Sequence, residues 1–215
     1  MMDFTDGERE RIKQAVCQAE RGTRAEIVPM IVPASARYRE SRYRTGLILA
    51  WLTLTVLLTV ETFWLPWGWH AGNAGWLLLA VVVAYGFGHW LGTLPNIIRL
   101  ITPRERMANK VRLHAEQAFY RHGLHKTAGR TGILILVSLL ERRVQVLADK
   151  AIHDRVPVGT WDGLVSGIIE GIRNGKATDA ICEAIAKCGA LLAHVSPAGA
   201  GDNPDELPDE LIEEL

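Results

Sequence analysis

The residues closest to chemistry in this sequence are Glu26 and the trio Asp149, His153 and Asp154, which share the run DKAIHDR. Asp149 stands where an apolar strand pattern stops, and ligand sites of open α/β sheets gather where strands end and loops converge. Hard cations such as calcium or magnesium take several carboxylate oxygens, so Glu26, Asp149 and Asp154 are the expected metal ligands. Asp149 and His153 are the expected catalytic pair, because an imidazole titrates near neutrality and serves as acid or base. The competing reading is structural: these carboxylates cap helices or pair with Arg24, Arg142, Arg143 or Arg155, and His153 faces solvent. Glu20 and Glu26 flank the turn between the first helix and the first strand. Nowhere does the chain carry a nucleophile elbow, a glycine-rich phosphate loop or a zinc signature.

The elements that must position these residues are interrupted by two apolar runs, TGLILAWLTLTVLLTVETFWLPW and GWLLLAVVVAYGFGHWLGTL. Each matches the roughly 20 helical residues that cross a bilayer. Neither contains Lys or Arg, and six of the seven Trp lie between residues 51 and 90, as amphipathic rings at membrane interfaces would. Arg37, Arg39, Arg42 and Arg44 precede the first run, and Arg99, Arg104, Arg106, Lys110 and Arg112 follow the second. The connector offers only Glu61 and His70, so the positive-inside rule predicts a two-span hairpin in the cytoplasmic (inner) membrane with both termini cytoplasmic. Trp64, Trp67, Trp69 and Trp76 are then expected at the far interface. Gly88 and Gly92 have close-packing spacing, compatible with packing within the hairpin or with a homo-oligomer. A lone His89 without an acidic companion makes a poor proton pathway, which argues against transport.

Lys plus Arg equals Asp plus Glu, 24 of each, which argues against nucleic acid as a partner. Three cysteines without a paired framework suit a reducing compartment. Basic residues on the helix after the second run point to membrane lipids as a partner, or to a solvated face.

Before the hairpin the pattern predicts a helix, opened by a Thr5/Glu8 capping box and stopped near Gly22, and then the strand AEIVPMIVP. Pro29 lacks a ladder donor, which predicts an edge or a bulge for that strand. After the hairpin come a helix started by Pro103, the strands TGILILVS and RRVQVLAD around a turn at LLERR, a helix capped by Thr160, and a last helix with Ile181, Ile185, Cys188 and Leu192 on one face. A two-stranded sheet is marginal alone, and the N-terminal strand is the expected third. The expected organisation is therefore one split α/β head, residues 1–40 and 103–197, interrupted by the hairpin at 45–100. An acidic tail, 198–215, reads as solvated or as a short helix with Leu207, Leu211 and Leu215 at spacing four.

The segments AERGTRAEIVPMIV, AFYRHGLHKTAGRTGILILVSLLERRVQVLADKAI and NPDELPDEL resemble the TPM domain family, in its bacterial membrane-anchored branch with the anchor inside the domain. That resemblance implies a three-layer α/β/α sandwich with a small mixed sheet. It also implies a family of varied biochemistry, whose members include proteins described as acid phosphatases, divalent cation binders, and assembly or repair factors for membrane complexes. The expected function is a membrane-anchored protein whose cytoplasmic head binds a protein partner and a divalent cation. The alternative is an acid-phosphatase-like, metal-dependent hydrolase of phosphomonoesters.

Overall fold

A computed structural model describes residues 4–64, 73–127, 129–157, 159–197, 207 and 209–213. Trp67, Trp69, His70 and Leu215 lie outside the described residues, as do the side chains of Glu61 and Trp64. The chain divides into two compact units, one made of Met1–Ala36 with Ala108–Leu215 and the other of Arg37–Met107.

In the first unit, helix α1 (Asp6–Glu20) opens on the expected capping box: Thr5 Oγ1 accepts from the Glu8 N–H and Glu8 Oε2 accepts from the Thr5 N–H. The chain then enters strand β1 (Glu26–Val32). Strands β2 (Gly132–Ser138) and β3 (Arg143–Ala148) follow the second unit in sequence, and a short strand β4 (Ile212–Glu213) closes the order β3-β2-β1-β4. Pairing is parallel for β1 with β2 and with β4, and antiparallel for β2 with β3, so the sheet is small and mixed. Chain from before and after the second unit thus shares one sheet.

Two expectations are corrected here. Among the described residues of the tail, Ile212 and Glu213 form a fourth strand rather than a short helix. Consequently β1 is interior by strand order, despite Pro29. The Glu26 N–H reaches the Thr131 carbonyl and the Val32 carbonyl accepts from the Leu139 N–H, which aims the even residues of β1 at β2. Backbone groups alternate along a strand, so the donor that Pro29 lacks falls on the β4 side and costs no bond to β2. On that outer side β4 pairs only with Met30 and Ile31.

Side chains alternate too, and they divide between two apolar clusters. Ile27, Ile31, Ile133, Ile135 and Val137 join α1, α7 (Thr160–Arg173) and α8 (Ala177–Val195), where Ile168, Ile181, Ile185, Cys188 and Leu192 are buried. Val28, Met30, Val32, Leu134 and Leu136 instead join Val111, Ala115, Ala118 and Phe119 of α5 (Arg104–Arg121) and Leu124 of a 3₁₀ turn, Leu124–Lys126. Between β3 and α7 lies the single turn α6 (Lys150–His153). Thr160 is not the cap of α7: Gly159, at φ 88°, holds that position, and Thr160 is the first helical residue. Pro103 likewise precedes α5 rather than opening it.

The second unit contains two helices long and apolar enough to cross a membrane, α2 (Arg39–Trp64) and α3 (Asn73–Leu91), and the short α4 (Pro95–Ile101). Gly88 and Gly92 serve the contact of α3 with α2. A Cβ at Gly88 would sit 2.8 Å from the Thr45 carbonyl oxygen, and one at Gly92 2.6 Å from the Arg42 Cα. His89 meets Tyr43 of α2 edge to face, ring centroids 5.4 Å apart, so it is a contact between helices as expected. Apolar side chains nevertheless face outward: Leu47, Trp51, Leu78 and Leu79 are 62–74% exposed.

Candidate functional site

The sheet has two polar ends, and the anticipated residues sit at one of them. Glu26 pairs in register with Gly132, whose carbonyl accepts from the Asp149 N–H at 2.9 Å. Glu26, Gly132 and Asp149 therefore occupy one row across β1, β2 and the end of β3. The middle position must be glycine, because a Cβ there would lie 2.5 Å from the Leu124 carbonyl oxygen. Glu26 is buried. Asp149 caps α6: its Oδ1 accepts from the Lys150 N–H at 2.6 Å, while its Oδ2 is buried without a hydrogen-bond partner among the described residues.

His153 and Asp154 follow on α6 and at its C-cap, and both are exposed. His153 is tied to Asp149 through the backbone, N–H to carbonyl, with its ring turned to solvent. Among the described residues no three His, Cys, Asp or Glu side chains are grouped as a metal site, so Glu26, Asp149 and Asp154 are not gathered around one point. Capping, the competing reading of Asp149, is what its near oxygen does.

The same end holds carboxylates that sequence reasoning did not join. Glu20, at the C-terminus of α1, turns back so that its Oε1 accepts from the Ile27 N–H at 2.7 Å, on the outer side of β1. The tail brings Asp209 to the same place, where its Oδ2 accepts from the Cys17 thiol at 2.8 Å. Burial pushes the Glu20 carboxyl up to about 9; the Ile27 N–H pulls it down, and Glu26 and Asp209 nearby raise it further. A neutral Glu20 can donate where an ionised one would repel Asp209. The hydrogen bond to Asp209, then burial, raises the Cys17 thiol.

The opposite end is a closed network. Glu141 Oε1 accepts from the Ser35 N–H at 3.0 Å, the Ser35 hydroxyl donates to Ser138 Oγ at 2.8 Å, and Ser138 donates to Glu141 Oε2. Ser35, Ser138 and Glu141 are all buried, and His114 Nδ1 stands 3.2 Å from the Ser35 carbonyl oxygen. Here a serine hydroxyl touches a carboxylate, but both carboxylate oxygens are occupied and Ser138 is 1% exposed. The arrangement pins the loop after β1 to the turn after β2, which also bonds Leu139 N–H to Val32 O and Leu140 N–H to Pro33 O. It was missed in the sequence because PAS and SLLE carry no motif; only their burial makes them notable.

Residues 97–191 match the TPM domain family. The match runs from α4 into α8 and takes in β2, β3 and Asp149, while leaving out α1 and β1. The solved structure of the BA42 protein from the psychrophilic bacterium Bizionia argentinensis is similar in fold, with a TM-score of 0.61 at 18% identity, covering 99% of this chain and 97% of that one. That likeness extends to α1 and β1, so the TPM segment and the N-terminal strand belong to one kind of fold. No curated protein matches the chain.

Proposed function

We propose that this chain is a membrane-anchored TPM-like protein, with both termini in the cytoplasm, whose α/β head binds a protein partner in the assembly or maintenance of membrane complexes. The observation that carries the anchor is the exposure of α2 and α3. A helix apolar all round is buried in protein or in lipid, and here Trp51 is 74% and Leu78 68% exposed. Arg37, Arg39, Arg42 and Arg44 before α2 and Arg99, Arg104 and Arg106 after α3 favour the cytoplasmic orientation. A reporter inserted at His70 is expected to register outside the cytoplasmic membrane and one fused after Leu215 inside it. The reverse pattern, or release of the protein by alkaline carbonate, removes the reading.

Hydrolysis of phosphomonoesters is the second reading, favoured by the buried Asp149 Oδ2 that no described residue engages. In it Asp149 would act with His153, and calcium or magnesium would be required. The two part on one assay. Turnover of a generic phosphomonoester that depends on either cation and is lost in Asp149→Ala sinks the binding reading. Retrieval of the same membrane complex by wild type and by Asp149→Ala, without turnover in either, sinks the hydrolase.

A further inference from the structure

The outer side of β1 is fitted for one kind of visitor. Of its outward backbone donors, Ile27 is taken by Glu20, Pro29 has none, and only Ile31 lies where a strand pairs. β4 uses that place, its Ile212 and Glu213 in parallel register with Met30 and Ile31. Side chains do the rest. Leu211 joins the cluster on one face of the sheet, Leu207 and Ile212 the cluster on the other. Two cations of α1 read the acids: Arg9 holds Glu213 through Nε and Nη2 at 3.2 and 3.0 Å, and Lys13 holds Glu210 at 3.3 Å. Cys17 adds the bond to Asp209.

Each of these attachments is weak. The backbone pairing is two residues long, and the ion pairs are partly exposed, Glu210 by 72%, so they contribute little. A strand held this way covers an edge without closing it permanently, and sheet edges that bind extended peptides use the same combination of ladder and side-chain pockets.

We infer that the outer edge of β1, with Arg9 and Lys13, is the partner-binding groove of the head, that residues 209–213 are its built-in occupant, and that the partner inserts an extended acidic and apolar segment in their place. The proposal rests on the partner-binding reading and specifies it. Charge complementarity selects the occupant: acids at the Glu210 and Glu213 positions, with aliphatic residues at 211 and 212 pointing to opposite faces.

The test uses the full-length protein in detergent micelles and a fluorescent peptide of sequence LPDELIE, residues 207–213. Glu210→Lys combined with Glu213→Arg repels the resident tail from Arg9 and Lys13, and this variant is expected to bind the peptide at least tenfold more tightly than wild type. Adding Arg9→Glu and Lys13→Glu should return binding to background. Faster hydrogen exchange at Ile31 in the first variant, with an unchanged melting temperature, verifies that the edge has opened in a folded head. Binding no tighter than wild type with the edge opened overturns the proposal, and so does equal binding of a scrambled peptide. A wild-type dimer that the peptide converts to monomer also overturns it, since the occupant would be a second copy's tail. If Arg9→Glu with Lys13→Glu retrieves a defined membrane complex as well as wild type does, the groove is wrong while the partner-binding reading survives.

Discussion

The two ends of the sheet spend their polar groups in opposite ways. Beyond the C-terminal ends of β1 and β2, Ser35, Ser138 and Glu141 satisfy one another inside the fold, and one carboxylate serves a backbone N–H and a hydroxyl. Near their N-terminal ends, burial raises Glu20 to about 9, with Glu26 and Asp209 beside it adding to the rise, and Asp149 keeps one buried oxygen without a partner among the described residues. Complete satisfaction marks a structural joint, whereas crowded like charges are an expense that folding alone does not require. The serine end therefore reads as a joint that holds β1 to β2, and the carboxylate end is where the proposed function is to be tested.

The sharpest way to break this contrast is to cut the joint. Glu141→Ala leaves two buried donors, the Ser35 N–H and the Ser138 O–H, without their acceptor, and each such orphan costs about 1–3 kcal/mol. Thermal unfolding in detergent should show a loss of about 2–4 kcal/mol, with β1 and β2 exchanging faster at their C-terminal ends. Gly132→Ala strikes the other end through packing alone, since its Cβ would meet the Leu124 carbonyl oxygen at 2.5 Å, and a loss of about 1–3 kcal/mol is expected. A Gly132→Ala protein as stable as wild type would mean that Leu124 can move away from the row holding Glu26 and Asp149.

Glu20 sharpens the contrast by pH. Its carboxyl titrates near 9 when folded, against an ordinary 4.5, so the fold holds an extra proton between those values. Its contribution to stability is therefore full below about pH 4.5 and is lost as pH rises toward 9, at no more than ~1.4 kcal/mol per pH unit. Glu20→Gln keeps an acceptor for the Ile27 N–H and an amide donor for Asp209, and it cannot ionise. It should remove this slope and exceed wild type by about 1–2 kcal/mol at pH 8, read from denaturant midpoints across pH 5–8. An unchanged slope would show that Glu20 is already ionised beside Asp209.

Which parts of this arrangement could be read in the sequence follows from how local each signal is. The apolar helices were legible from length and composition, because twenty-residue runs such as the one around Trp51 have few alternatives. β2 was legible as a buried strand from GILILV, and α8 from Ile181, Ile185, Cys188 and Leu192 at helical spacing. β4 was not, since two residues have no periodicity and their partner, Met30, lies about 180 positions away. The leucine spacing at 207, 211 and 215 suggested a helix, whereas the alternation that mattered was that of Leu211 and Ile212 across a sheet edge. Glu26 and Asp149 were recognised as carboxylates at strand ends. Glu20 was seen beside Glu26 across the turn after α1, but its bond to the Ile27 N–H and the arrival of Asp209 through the tail were hidden.

The smallest expected effect decides the most about chemistry. His153 lies on α6 with its ring in solvent, bound to Asp149 through its backbone, so His153→Ala should change stability by less than about 0.5 kcal/mol. Asp149→Ala removes a cap and should cost about 1 kcal/mol. If the carboxylate end only binds, neither substitution alters any phosphomonoester signal, because there is none above background. If it hydrolyses phosphomonoesters through an imidazole, His153→Ala lowers the rate while leaving the melting temperature untouched. That pairing of a silent stability and a lost rate is something a solvent-facing ring without catalytic duty cannot produce, so one stable, easily made variant separates the two readings of this end of the sheet.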